Sequence, residues 1–142
     1  MTPFVAEFFG TAIIITIGNG VVANIVLPNT KGNNGGLINI VLGWTIAVFV
    51  GVYMTASVSG AHLNPAVTIA LATAGKFNWS LVPAYLLAQL LGAMLGAFLV
   101  WMVYKDHFNE AKDPASQTEP REDEDAAVED KSGFGQASKD MQ

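Results

Sequence analysis

Apolar residues dominate the chain from Phe4 to Tyr104, and short polar stretches cut them into segments. The first run extends from Phe4 to Leu27 and stops at Pro28, the second from Leu37 to Val58, the third from Leu81 to Tyr104. Each suits an α-helix crossing ~30 Å of hydrocarbon, which takes about 20 residues. The first reads as a retained helix rather than a signal peptide, because no Lys or Arg precedes it and it is too long. Positions 29–36, polar and glycine-rich, form a turn between spans. A shorter apolar segment, 64–74, lies between the second and third runs. Asn64 suits an N-cap, Pro65 the first helical position, and Gly75 a C-cap. At about 1.5 Å per residue this helix is roughly 16 Å long. The pattern predicts an all-α membrane protein with three transmembrane helices and one half-spanning, re-entrant helix.

A half-spanning helix places its N-terminus near the midplane, with unpaired N–H groups and a positive dipole end. Irregular backbone at that depth survives only where protein buries it or where it lines a watery cavity. The carbonyls of Gly60, Ala61, His62 and Leu63 are therefore expected to face a solute path as acceptors. Asn64 can cap its own helix through its amide oxygen and keep its NH₂ free to donate. Transporters build midplane sites from broken helices in this way.

Small residues recur four apart in two runs, as Gly43, Ala47 and Gly51 and as Ala88, Gly92 and Gly96. That spacing puts them on one helix face, where they let helices approach closely in lipid. From Met1 to Tyr104 the charged side chains are Glu7, Lys31 and Lys76 alone, so the net charge of −5 belongs to the tail. No basic face suggests nucleic acid, and with no cysteine there is no disulfide framework. His62 has no second ligand nearby beyond Asn64, and His107 stands at the start of the tail, so neither suggests a metal site. Nothing suggests an enzyme or a cofactor. Glu7, near the start of the first helix, is either a carboxylate snorkelling to water or a buried acid that needs a partner. Trp44 is either an interfacial anchor or part of a solute path, and Trp79, Trp101 and Tyr104 fit an aromatic belt. Gln89, if buried, must be hydrogen-bonded.

Ser59 to Thr68, Ser-Gly-Ala-His-Leu-Asn-Pro-Ala-Val-Thr, resembles the first Asn-Pro-Ala loop of the major intrinsic protein family, the aquaporins and aquaglyceroporins. Ala6 to Thr11 (Ala-Glu-Phe-Phe-Gly-Thr) resembles the family's first-helix motif, and Ala88 to Ala93 (Ala-Gln-Leu-Leu-Gly-Ala) its third-helix pattern. The resemblance implies one inverted repeat of the aquaporin fold, closest to glycerol uptake facilitators, conducting glycerol and water passively across a membrane. It assigns the pore to Asn64, Pro65, Ala66, the carbonyls of Gly60 to Leu63, and Trp44. Glycerol facilitators have Trp at the Trp44 position of the outer filter, where strict water channels typically have Phe. Support of the loop falls to Glu7, accepting from its backbone N–H groups, and to Gln89, also assigned to the loop's backbone.

The resemblance covers about Phe4 to Phe108, read as a membrane domain over 1–108 and an acidic, disordered tail over 109–142. Family members are roughly twice as long, with a second repeat carrying another Asn-Pro-Ala box and a filter arginine; neither occurs here. The chain is therefore expected to be a truncated product, a fragment, or a half that pairs with another. Its expected partners are the bilayer, glycerol and water, and a second repeat or full-length family members, as a tetramer by resemblance. The alternative is a non-conducting half-channel that binds or disrupts full-length relatives. Charge does not settle orientation; by resemblance the N-terminus and Lys76 are cytoplasmic, in the cell membrane.

Overall fold

A computed structural model describes residues 1–112. Four helices follow in order: α1 (Pro3–Val26), α2 (Leu37–Ser59), α3 (Pro65–Thr73) and α4 (Val82–Glu110), with a 3₁₀ turn at Trp79–Leu81 leading into the last. Among the described residues there is no strand.

Each terminus has a local cause. Thr2 caps α1 by accepting from Val5 N at 3.4 Å, and Pro3 occupies the first turn, where its missing N–H costs nothing. The chain turns extended at Leu27, before Pro28. The polar turn then closes over the end of α1. Asn33 Nδ2 donates to Leu27 O at 2.8 Å, Thr30 Oγ1 to Asn24 O at 2.6 Å, and Asn34 N to Ile25 O at 3.0 Å. Carbonyls that a helix end leaves without partners are satisfied in this way. At the other end of the fold α2 stops at Gly60, which takes the left-handed conformation (φ 81°) that glycine adopts without strain.

The centre of the fold is α1, against which both long helices pack. A Cβ added at Gly43 would meet Val21, one at Gly51 would meet Ile14, and Ser59 bonds Glu7, so α2 runs antiparallel to α1. Gln89 meets Glu7, while a Cβ at Gly92 would overlap the Phe8 carbonyl oxygen and one at Gly96 would crowd that of Ala12. Thus α4 runs parallel to α1. Both small-residue seams close on the same helix. The α2 seam also continues past Gly51, since Thr55 and Ser59 are buried on the same four-residue stripe. Outward faces remain apolar: Ile38, Leu42, Phe49 and Tyr53 of α2 and Leu90, Met94 and Phe98 of α4 are all more than half exposed. Among the described residues three helices are long and apolar enough to cross a membrane; α3, with nine residues, is roughly 14 Å long.

The last helix runs six residues past the expected end at Tyr104, to Glu110. Hydropathy marks where a helix leaves lipid, not where it ends. Beyond Tyr104 the helix is tied to the α1–α2 turn: His107 Nδ1 lies 3.1 Å from Pro28 O, and Asn29 Nδ2 donates to Glu110 Oε2 at 3.1 Å. The polar tail drawn from 109 thus begins within α4, and from 113 onward it lies outside the described residues.

Candidate functional site

Between α2 and α3 the chain runs from Gly60 to Asn64 as irregular backbone, with Ala61 (φ 51°) and Leu63 (φ 49°) also left-handed. Such conformations disfavour residues with a Cβ and persist only where the surroundings over-determine them. Here the surroundings are one carboxylate. Glu7 is fully buried (0% exposed) and accepts four hydrogen bonds. Its Oε1 takes His62 N at 3.0 Å and Ser59 Oγ at 2.6 Å; its Oε2 takes Leu63 N at 2.7 Å and Gln89 Nε2 at 2.8 Å. Charge-assisted bonds of this length are the strong kind. Glu7 therefore does not snorkel.

Other contacts complete the clamp. Ser59 Oγ accepts from Ala61 N at 3.1 Å, and Ser59 O accepts from Tyr85 OH at 2.9 Å. His62 is buried, its ring edge-on to Phe77 and tilted against Tyr85, with Nδ1 3.1 Å from Thr68 Oγ1. Leu63 is buried against α1, where a Cβ on Gly10 would strike its side chain at 2.5 Å. Ser59, Thr68 and Tyr85 have no role in the sequence reading. The signal available for them was weak: hydroxyls among small residues, within a turn of the Asn-Pro-Ala loop or of Gln89.

One expectation is corrected. Gln89 does not bond the loop's backbone; its NH₂ bridges Glu7 Oε2 at 2.8 Å and Thr68 Oγ1 at 3.0 Å. The amide N–H groups need acceptors, and a buried carboxylate is a stronger one than a peptide carbonyl.

What the clamp leaves unpaired is equally specific. Asn64 caps α3, its Oδ1 accepting from Ala66 N at 2.8 Å, while Pro65 opens the helix. The exposed Nδ2 of Asn64 makes no hydrogen bond among the described residues. Nor do the carbonyls of Gly60, Ala61, His62 and Leu63 accept one. Four acceptors and one donor stand at the N-terminus of a short helix. Trp44 stands apart from them: it is half-buried, its indole laid over Gly18, where an added Cβ would come within 2.7 Å of the ring. Gly18 lies roughly 16 Å along α1 from Glu7 at about 1.5 Å per residue, toward the end of the Lys31 turn.

The sequence profile described as Major intrinsic protein matches residues 1–135. The chain belongs to the major intrinsic protein family. Among its relatives is the "Probable glycerol uptake facilitator protein" of Thermotoga maritima, 52% identical over 114 residues, covering 80% of this chain and 49% of that protein. The glycerol uptake facilitator protein of Streptococcus pneumoniae is 53% identical over 108 residues, covering 76% of this chain and 46% of the relative. A solved aquaglyceroporin from Plasmodium falciparum superposes with a TM-score of 0.70 at 40% identity, over 78% of this chain and 45% of that one. The chain spans about half the length of the relatives it matches. It is an integral membrane protein of a channel family, with an all-α fold.

Proposed function

We propose that this chain is one half of a passive path for glycerol and water. The observation that carries the reading is the loop itself: four unpaired carbonyls and the free amide of Asn64, held by Glu7 at the mouth of a short helix. A polyol offers hydroxyls that both donate and accept, with an apolar CH face. In this reading Asn64 donates to the solute oxygen and the carbonyls of Gly60, Ala61, His62 and Leu63 accept from its hydroxyls. Pro65 and Ala66 fix the turn, and Trp44 offers an apolar wall. The positive end of α3 disfavours cations. The relatives' names support glycerol as the solute. No chemical step is involved, so no catalytic group is required. The chain sits in the cell membrane with its N-terminus and Lys76 on the cytoplasmic side, and assembles as a tetramer when its path is complete.

Pore geometry in inverted-repeat transporters arises between two halves, and this chain spans about half the length of its relatives. That favours a second reading for the chain by itself: a half-channel that conducts nothing and pairs with, or interferes with, full-length subunits. Stopped-flow light scattering on liposomes after an osmotic jump separates the two. The 142-residue chain is expected to add no glycerol or water permeability above the lipid background. Joined to the second half of a glycerol facilitator it is expected to conduct glycerol. Robust glycerol flux from the chain alone would overturn the half-channel reading, and no flux from the joined protein would overturn the conduit.

A further inference from the structure

The Gln89 amide has one definite orientation. Its NH₂ faces two oxygens, Glu7 Oε2 and Thr68 Oγ1, and turning it over would set an amide oxygen against a carboxylate oxygen. The other end of the side chain, Oε1, is buried and makes no hydrogen bond among the described residues, although Gln89 is only 1% exposed. A buried acceptor without a donor is costly, and such groups are rare in native proteins.

A second buried group makes no hydrogen bond among the described residues: the hydroxyl of Thr11, in a residue 6% exposed. Within the helices Thr16, Thr45, Thr55, Thr68 and Thr73 each donate to the carbonyl four residues back. Thr11 does not follow them. It lies one turn beyond Glu7 on the same face of α1. That stretch of α1 meets the turn of α4 that carries Gln89, since an added Cβ on Gly92 would overlap Phe8 O and lie 3.2 Å from Ala12 N. The other hydroxyl on that turn of α4, Tyr85, is already committed to Ser59 O. An orphan donor and an orphan acceptor thus belong to the same contact between α1 and α4.

We propose that Thr11 supplies the missing donor to Gln89 Oε1, directly or through one buried water, and is a positioning residue for the Asn-Pro-Ala loop. Thr11 holds the Gln89 amide so that its NH₂ stays on Glu7 and Thr68, and those two groups hold both ends of the loop. The loop's geometry therefore rests on a hydroxyl that makes no hydrogen bond to the loop.

The test uses the full chain in lipid bilayers, with Gln117, Gln136 and Gln142 each replaced by Asn so that ¹³C-glutamine reports on Gln89 alone. Solid-state NMR of the side-chain carbonyl carbon reads whether Oε1 is hydrogen-bonded. The unsubstituted Thr11 chain is expected to show the bonded shift, Thr11→Val to lose it, and Thr11→Ser to keep it. Polarisation transfer from water to this carbon marks the bridged form; a Thr11-dependent shift without such transfer marks the direct bond. An unbonded shift in the chain with Thr11 intact would overturn the proposal even if Thr11→Val does not fold. So would a shift that is the same with Thr and with Val. A thermal midpoint supplies the second measure: Thr11→Val is expected to lower it by about 4–8 °C, and to have no further effect once Gln89 is Leu, whereas a role in packing alone would give additive losses.

Discussion

Replacing Glu7 by Leu removes the acceptor of four donors at once, and the neighbours determine how much that costs. Ser59 Oγ has a second acceptor in Thr55 O at 3.4 Å, and the Gln89 NH₂ keeps Thr68 Oγ1 at 3.0 Å. The N–H groups of His62 and Leu63 have no such alternative, for among the described residues their sole acceptor is Glu7. Two buried backbone donors left unpaired cost about 2–6 kcal/mol together at ~1–3 kcal/mol each. Set against a typical folding stability of about 5–15 kcal/mol, that removes a large part of the total. Glu7→Gln is milder. One oxygen survives to accept from one N–H, which leaves roughly one orphan rather than two. The expected order of folded protein in membranes is wild type, then Gln, then Leu, with the folded-to-unfolded ratio of Leu lowered by well over tenfold, since about 1.4 kcal/mol is a factor of ten. Size-exclusion profiles and thermal midpoints in lipid nanodiscs read the order. Equal yields for Leu and wild type would refute the assignment of Glu7 as the acceptor that holds the loop.

Gly92→Val drives side-chain carbons into the Phe8 carbonyl and is expected to abolish stable α1–α4 packing, seen as loss of the monodisperse folded peak. Gly20→Ala is its control, since nothing lies within 4 Å of the added carbon; it is expected to raise the thermal midpoint slightly, helix propensity favouring Ala by about 1 kcal/mol. Tyr85→Phe removes the bond to Ser59 O and is expected to cost about 1 kcal/mol, read in the same melt. Cysteines at Thr2, Asn34, Asn78 and Lys112 are expected to label alternately, the first and third from one face of the bilayer and the other two from the opposite face. Labelling of positions 78 and 112 from the same face would contradict three spans. In the joined, conducting protein Trp44→Phe is expected to shift preference away from glycerol, read as the ratio of glycerol to water permeability.

The parts of this structure legible in the sequence are those governed by local rules. Three apolar runs give three helices because length and hydropathy are properties of a segment, and Asn64-Pro65 gives a capped helix start because capping chemistry spans a few residues. The small-residue faces were visible, but not that both close on α1, since periodicity names a face and not its partner. Glu7 as the loop's acceptor came from resemblance alone; position left snorkelling open, because the bonds that decide it span more than fifty residues. Ser59, Thr68 and Tyr85 stayed hidden for the same reason. Each acts through a neighbour that only the tertiary fold supplies. Gln89 was recognised as a buried amide needing partners, yet its partners proved to be side chains on two other helices.

The carboxylate at the heart of the clamp also imposes an order in time. Glu7 is made almost first, in the helix that both other long helices dock against, while its partner Gln89 follows 82 residues later. At a synthesis rate of ~5–20 residues per second, that interval is roughly 4–16 s. For most of it, until Ser59, His62 and Leu63 are made, α1 holds an acidic side chain with none of its donors, and Gln89 completes the set last. The half-built bundle must be sheltered by the insertion machinery or wait near the headgroups until the loop arrives. Biogenesis of this fold is thus paced by its earliest charged side chain, and slowing translation ahead of α4 lengthens the window in which the nascent chain is open to quality control.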